Sequence, residues 1–160
     1  MSTIPTLTVW EPWASLIIAG AKPYEFRGWP APGKFVGARI AIHAGARPVR
    51  PAEVRALLIQ LKGSNAWATS LRPEIAIPLL ERVASGAVIL PRSHVLGTAV
   101  LGQPVRGNEV VSQFGGVVND SDRDQHFNWA WPLTDIRPLL PPLPARGAQG
   151  FWRWTEETAA

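Results

Sequence analysis

Leu7 to Trp10 alternates in the manner of a half-buried strand, and Glu11 and Pro12 then open a helix. Proline suits the first helical position, and a carboxylate near a helix N-terminus complements the dipole. Trp13, Leu16, Ile17 and Gly20 recur at three- and four-residue spacing, so this helix buries one stripe and ends on a glycine cap. Tyr24 to Arg27 returns to period two. Tyr24 and Phe26 then share one face, and Glu25 and Arg27 share the other, beside Lys22 at the start of the strand.

Farther along, Pro30, Pro32 and Gly33 mark a turn, continued from Lys34 to Gly37. Arg39 to Ala44 reads as a central strand with His43 near its end. Pro51 to Lys62 carries Val54, Leu57, Leu58 and Leu61 on one helical face. Pro73 to Ser85 forms a second helical stretch, interrupted by Pro78 and closed by Gly86. Val95 to Val105 is a strong strand, Phe127 to Leu133 alternates again, and Phe151 to Thr155 closes the chain as a strand. Gly107 to Gln125 is polar and carries glycines, as long surface loops do. Helices and strands mix without a regular βαβ repeat. This predicts an α+β fold over residues 1–160: one domain, a small β-barrel with flanking helices.

Composition narrows the chemistry. The chain has no cysteine, which excludes disulfides and thiolate metal sites. Sixteen basic residues face 12 acidic ones, for a net charge of +4, and the charge is uneven. Residues 1–80 hold nine basic and four acidic side chains, a net of +5, while the second half is slightly acidic. Arginine outnumbers lysine, and a guanidinium grips phosphate bidentately, so nucleic-acid contact is expected. No basic start with an apolar run marks a signal peptide, and no apolar run approaches the roughly 20 residues of a membrane span. A cytoplasmic protein without a membrane contact is the expectation.

The stretch W-E-P-W-A-S-L-I-I-A-G-A-K-P-Y-E-F-R, Trp10 to Arg27, resembles the signature of ASCH domains: an aromatic-led Pro-Trp helix followed by G-x-K-x-x-E-x-R. I-A-I-H-A (Ile40–Ala44) and H-V-L-G-T-A-V-L (His94–Leu101) resemble two further strands of that family. W-A-W-P-L-T-D-I-R-P-L (Trp129–Leu139) and P-A-R-G-A-Q-G-F-W (Pro144–Trp152) resemble its C-terminal pair. The resemblance implies a PUA-like β-barrel with the charged motif in a cleft between barrel and first helix. It also implies RNA binding, the common association of PUA-like domains, whose EVE and YTH relatives read modified bases in aromatic-lined pockets. Hydrolases occur among ASCH-type proteins too, including a branch that deacetylates 4-acetylcytidine and members credited with cutting RNA. That branch pairs its lysine with a threonine three positions on. Here Glu25 follows Lys22, and Glu11 stands where many members have glutamine.

Lys22 can bind phosphate or, with a lowered pKa, act as a base; its plainer role is an ion pair with Glu25. Glu25 can accept a hydrogen bond from a base amine or serve as general acid/base, or simply hold Lys22 and Arg27 in place. Arg27 can clamp phosphate or form a structural ion pair with Glu25 or Glu11. Trp10, Trp29 and Trp129 are candidates for base stacking, whereas Trp13 lies on the buried stripe. His43 is a candidate proton shuttle near a strand end. Arg146 is a candidate second phosphate contact on the opposite wall, with Gln149 behind it. Asp120, Asp122 and Asp124 alternate in the polar loop, but Gln125 and Trp131 stand where a calcium loop needs Gly and Glu. No metal or cofactor is expected, even with His126 added to that set. Two readings lead: an RNA- or nucleotide-binding module, or a hydrolase of RNA or a modified nucleoside with Lys22 and Glu25 as acid/base pair. A protein-interaction module that docks a partner on exposed tryptophans is the third.

Overall fold

A computed structural model describes residues 2–116 and 128–155. Its strands are β1 (Ile4–Val9), β2 (Tyr24–Arg27), β3 (Arg39–Ala44), β4 (His94–Leu101), β5 (Val105–Arg106), β6 (Trp129–Pro144) and β7 (Phe151–Trp154); its helices are α1 (Trp13–Ile18), α2 (Pro51–Leu61) and α3 (Pro73–Ala84). The α+β class is as the sequence predicts. Seven strands form one sheet in the order β2-β6-β4-β3-β1-β7, with β5 also on β6. Among the described residues only β1 and β3 run parallel. The ladder does not close, so β2 and β7 are its two ends.

Several elements differ from their sequence expectation, among them β1, which begins at Ile4 and ends at Val9. β6 is 16 residues long and runs to Pro144, far past Leu133, although it contains five prolines. Its first residues pair with β2 and β5, and Leu133 N–H still donates to Pro23 O, but beyond Leu133 only β4 pairs with it among the described residues, so the prolines from Pro138 onward meet no second ladder. Helix α3 runs through Pro78. Pro78 and Glu74, four residues before it, both face solvent, where water can satisfy the freed carbonyl. The strand expected to reach Val105 stops at Leu101, because Gly102 N–H turns aside to donate to Pro132 O at 2.8 Å. Within the expected long loop, Gly107–Glu109 and Val111–Phe114 form 3₁₀ turns. Asp120, Asp122, Asp124, Gln125, His126 and Phe127 lie outside the described residues.

Two cores meet on α1. Ala14 and Ile17 face the sheet's interior with Leu7, Ile40, Ile42 and Trp131. Leu16 faces the other way, into the apolar seam between α2 and α3 with Leu57, Leu71 and Leu80. The chain leaves α1 through Gly20, whose φ of +86° a side chain would resist. Ala21 and Lys22 N–H then both donate to Leu16 O, at 2.9 and 3.1 Å, which pins Lys22 to the end of the helix. Arg72 at the start of α3 locks the same turn, its backbone N–H donating to Ala21 O and its guanidinium to Gly20 O, each at 2.8 Å.

The closest approach in the sheet is at Gly97 on β4. A Cβ there would lie 2.6 Å from Arg137 O and 3.0 Å from both Pro138 Cα and Ile18 Cδ1. Backbone cannot yield as a side-chain tip can. Gly97→Ala should therefore lower stability by about 1–3 kcal/mol, read as a fall in the thermal midpoint. An unchanged midpoint would mean that β4 and β6 separate locally at no cost.

Candidate nucleotide-binding cleft

The site forms where the ladder stops. β7 pairs with β1 only from Ile4 to Leu7, so Thr8 and Val9 extend past the end of β7. On the other side of the gap lies β2. Arg27 crosses it, Nη2 donating to Thr8 O at 3.1 Å. Inside the gap Trp131 stacks on Phe151, with centroids 6.0 Å apart and planes within 7°, and Trp131 Nε1–H donates to Trp29 O at 3.0 Å. Above this seal opens a cleft of about 750 Å³.

Its floor is Lys22, Glu25 and Arg27, the last two projecting together as the alternation of β2 requires. Lys22 Nζ lies 3.3 Å from Glu25 Oε1 and donates to Tyr24 O at 2.5 Å. Arg27 grips the other oxygen, with Nη2 and Nε 3.0 and 3.3 Å from Glu25 Oε2. Phe26 N–H also donates to Glu25 Oε1, at 3.1 Å. Lys22 and Glu25 are 6% and 7% exposed, so this is a buried ion cluster rather than a surface pair. In such a cluster, removing one partner costs far more than an exposed pair would. Burial pushes the Lys22 amine below the usual lysine range; Glu25 opposes that and the Arg27 charge adds to it. The amine also lies 5.1 Å from the Phe26 ring centre and 6.0 Å from that of Trp13.

The walls are aromatic. Trp10 and Trp29 line the cleft and are 56% and 59% exposed. Arg47 stacks on Trp10, its guanidinium carbon 4.4 Å from the ring centre. Trp13 also lines the cleft while packing into both cores. Trp129 does not reach it; its ring lies 4.2 Å from the guanidinium of Arg106 and packs against the main core. Arg146 is not on the opposite wall either. It lines an adjoining groove, whereas Gln149 reaches both hollows.

His43 lies beneath that groove, 2% exposed. Its partners fix its tautomer. Nε2 is 2.7 Å from Ala145 O, which can only accept, so Nε2 carries the proton and Nδ1 accepts from Thr8 Oγ1 at 3.1 Å. Thr8 Oγ1 in turn accepts from Trp152 Nε1–H at 2.9 Å. Burial lowers the His43 pKa further from neutrality. With both ring nitrogens engaged, His43 braces the sheet against the loop before β7. Gly147 completes that brace, since a Cβ there would lie 2.5 Å from His43 Cε1.

Sequence reading missed Thr8 and Thr69. Thr8 could have been found, because two residues before Trp10 on a strand it must share that residue's face. Thr69 carries no local signal; it arrives from the 3₁₀ turn Ala66–Thr69 between α2 and α3.

Glu11 is wholly buried and accepts from Ser15 N–H at 2.8 Å, with Ser15 Oγ 2.6 Å from its other oxygen. Burial raises its pKa from 4.5 to about 7, and the Ser15 bonds only partly offset this. The folded protein therefore holds a proton that the unfolded chain releases above pH 4.5. This contribution to stability is complete below about pH 4.5 and is lost as the pH rises through 7. Glu11→Gln, which cannot ionise, should gain stability over the wild type between pH 5 and 8, on the order of 3 kcal/mol. Denaturant titrations of both proteins across that range check it. A pH-independent difference would show that Glu11 exchanges no proton on folding.

No family model and no curated protein matches this sequence. Solved structures do resemble it. The ASCH protein of Zymomonas mobilis superposes with a TM-score of 0.50 at 18% identity, covering 96% of this chain and 88% of that one. Two single-residue variants of that protein, serine-to-alanine and tyrosine-to-phenylalanine, give TM-scores of 0.49 and 0.47 at 18% and 20% identity. They too cover 96% of this chain, and 89% and 91% of their own. The chain has the fold of an ASCH domain.

Proposed function

We propose that this protein binds RNA, or a nucleotide derived from it, in the cleft between α1, β1 and β2. One observation carries the reading: a buried Lys22–Glu25–Arg27 cluster floors a hollow of about 750 Å³ walled by two half-exposed tryptophans. Base faces stack on such rings, and a carboxylate already held by its neighbours offers a fixed acceptor to an exocyclic amine. The cluster has two cations for one anion, so it keeps a net positive charge for phosphate. The ASCH fold and the PUA-like resemblance of the sequence support the same reading.

A second reading keeps the cleft and adds turnover: hydrolysis of RNA or a modified nucleoside, with Lys22 and Glu25 exchanging protons. The depressed pKa of Lys22 favours it, since a less basic amine spends more time unprotonated. That amine would first have to leave Tyr24 O and Glu25.

Incubation of the purified protein with total cellular RNA separates the two. Binding alone should retain RNA at low salt, with affinity falling linearly on a log–log plot against salt. Trp10→Ala and Trp29→Ala should each weaken retention about fivefold or more, the low end of a lost stacking contact. Retention indifferent to salt and to both tryptophans would sink the binding reading. Shortened strands or altered nucleosides, lost in Lys22→Met with the fold intact, would establish turnover.

A further inference from the structure

The cleft does not end at Trp10. A second groove of about 690 Å³ begins there, and Thr8, Trp10, Ala148 and Gln149 line both hollows. Either volume alone suits one small ligand. Together they exceed the ~1,000 Å³ at the upper end of small-molecule sites.

The two hollows differ in chemistry. In the cleft, both cations are engaged by Glu25. In the groove no lining residue is acidic, and the guanidinium of Arg146 is exposed, with no hydrogen bond or ion pair among the described residues. The nearby cations are committed elsewhere. Arg47 stacks on Trp10 and lies 3.2 Å from Glu53, and Arg92 donates to Ala46 O at 2.7 Å. His43 beneath the floor has both nitrogens occupied and gives the groove no charge. The floor is made of Gly45, Ala46, Ala145, Gly147 and Ala148, none larger than a methyl group. Such a floor has no apolar recess to hold a base, but it lets a sugar–phosphate chain lie close to the backbone. Arg146 is the charge available to that chain.

Resting on the reading of the cleft as a nucleotide site, we infer that its ligand is a nucleotide within a single RNA strand. One base enters the cleft. The strand crosses Trp10 and continues along the groove, where Arg146 holds the phosphate of the neighbouring nucleotide. Trp10 is the divider, with Arg47 bracing its ring and more than half of its surface open.

The test is one of ligand length. Nuclease-digested total cellular RNA is fractionated into one, two, four and eight nucleotides, and each fraction is titrated while tryptophan fluorescence is followed. Apparent affinity should rise at least tenfold from one nucleotide to four. Arg146→Ala, an exposed change with no internal contact to lose, should remove most of that gain. It should leave the mononucleotide within twofold and lower the salt slope by about 0.7. Equal affinity for one and eight nucleotides would overturn the strand path while leaving the cleft as a nucleotide site. Equal weakening of both by Arg146→Ala would also overturn it, by placing Arg146 on the cleft nucleotide itself. If no fraction binds the wild type, the nucleotide site and the strand path both fall.

Discussion

A sheet that stops short of closing must hold its two ends by something other than the ladder. In this protein Arg27 spans the seam. It is anchored on Glu25 at one side and reaches Thr8 O on the other, above a stacked Trp131–Phe151 pair that keeps water from the core. The cluster is thus structural before it is functional. A main-chain ladder would have used the edges of β1 and β2 on each other and left no hollow. A bridge one side chain wide closes the interior and leaves the rim open.

The same bridge sets the electrostatics. Glu25 accepts from Phe26 N–H and Arg27 and pairs with Lys22, so its position is fixed before any ligand arrives. Fixed polar groups bind with little reorganisation, which favours both affinity and discrimination among ligands. Affinity for a polyanion comes from cations not already neutralised, and a cluster of two cations on one carboxylate leaves one such charge.

Much of the fold and part of the site were legible in the sequence. β2 and β3 have the bounds expected of them, because turn-forming proline and glycine residues lie near both. The pairing of Glu25 with Arg27 followed from strand parity alone. β6 runs past Leu133, where the alternation ends, and whether the missing N–H groups of its later prolines matter depends on a neighbour that no local pattern shows. Arg146 and Trp129 were expected at the cleft. A turn of a few residues before β7 decided which hollow the arginine reached, and an Arg106 partner held Trp129 away. Thr69 depended on where the turn between two helices lands. Local periodicity gives the face of a residue but not the cavity that the face meets.

Helix α1 has only six residues. Helices shorter than about 12 residues do not persist alone in water, so this one exists only while the sheet and the α2–α3 pair clamp it. Yet it carries Trp13 and ends at the turn that sets Lys22. The cleft therefore has no foldable fragment of its own: it exists only together with the two cores that clamp α1. Ligand occupancy would count native molecules, and whatever fills the cleft would raise the melting temperature of the entire chain.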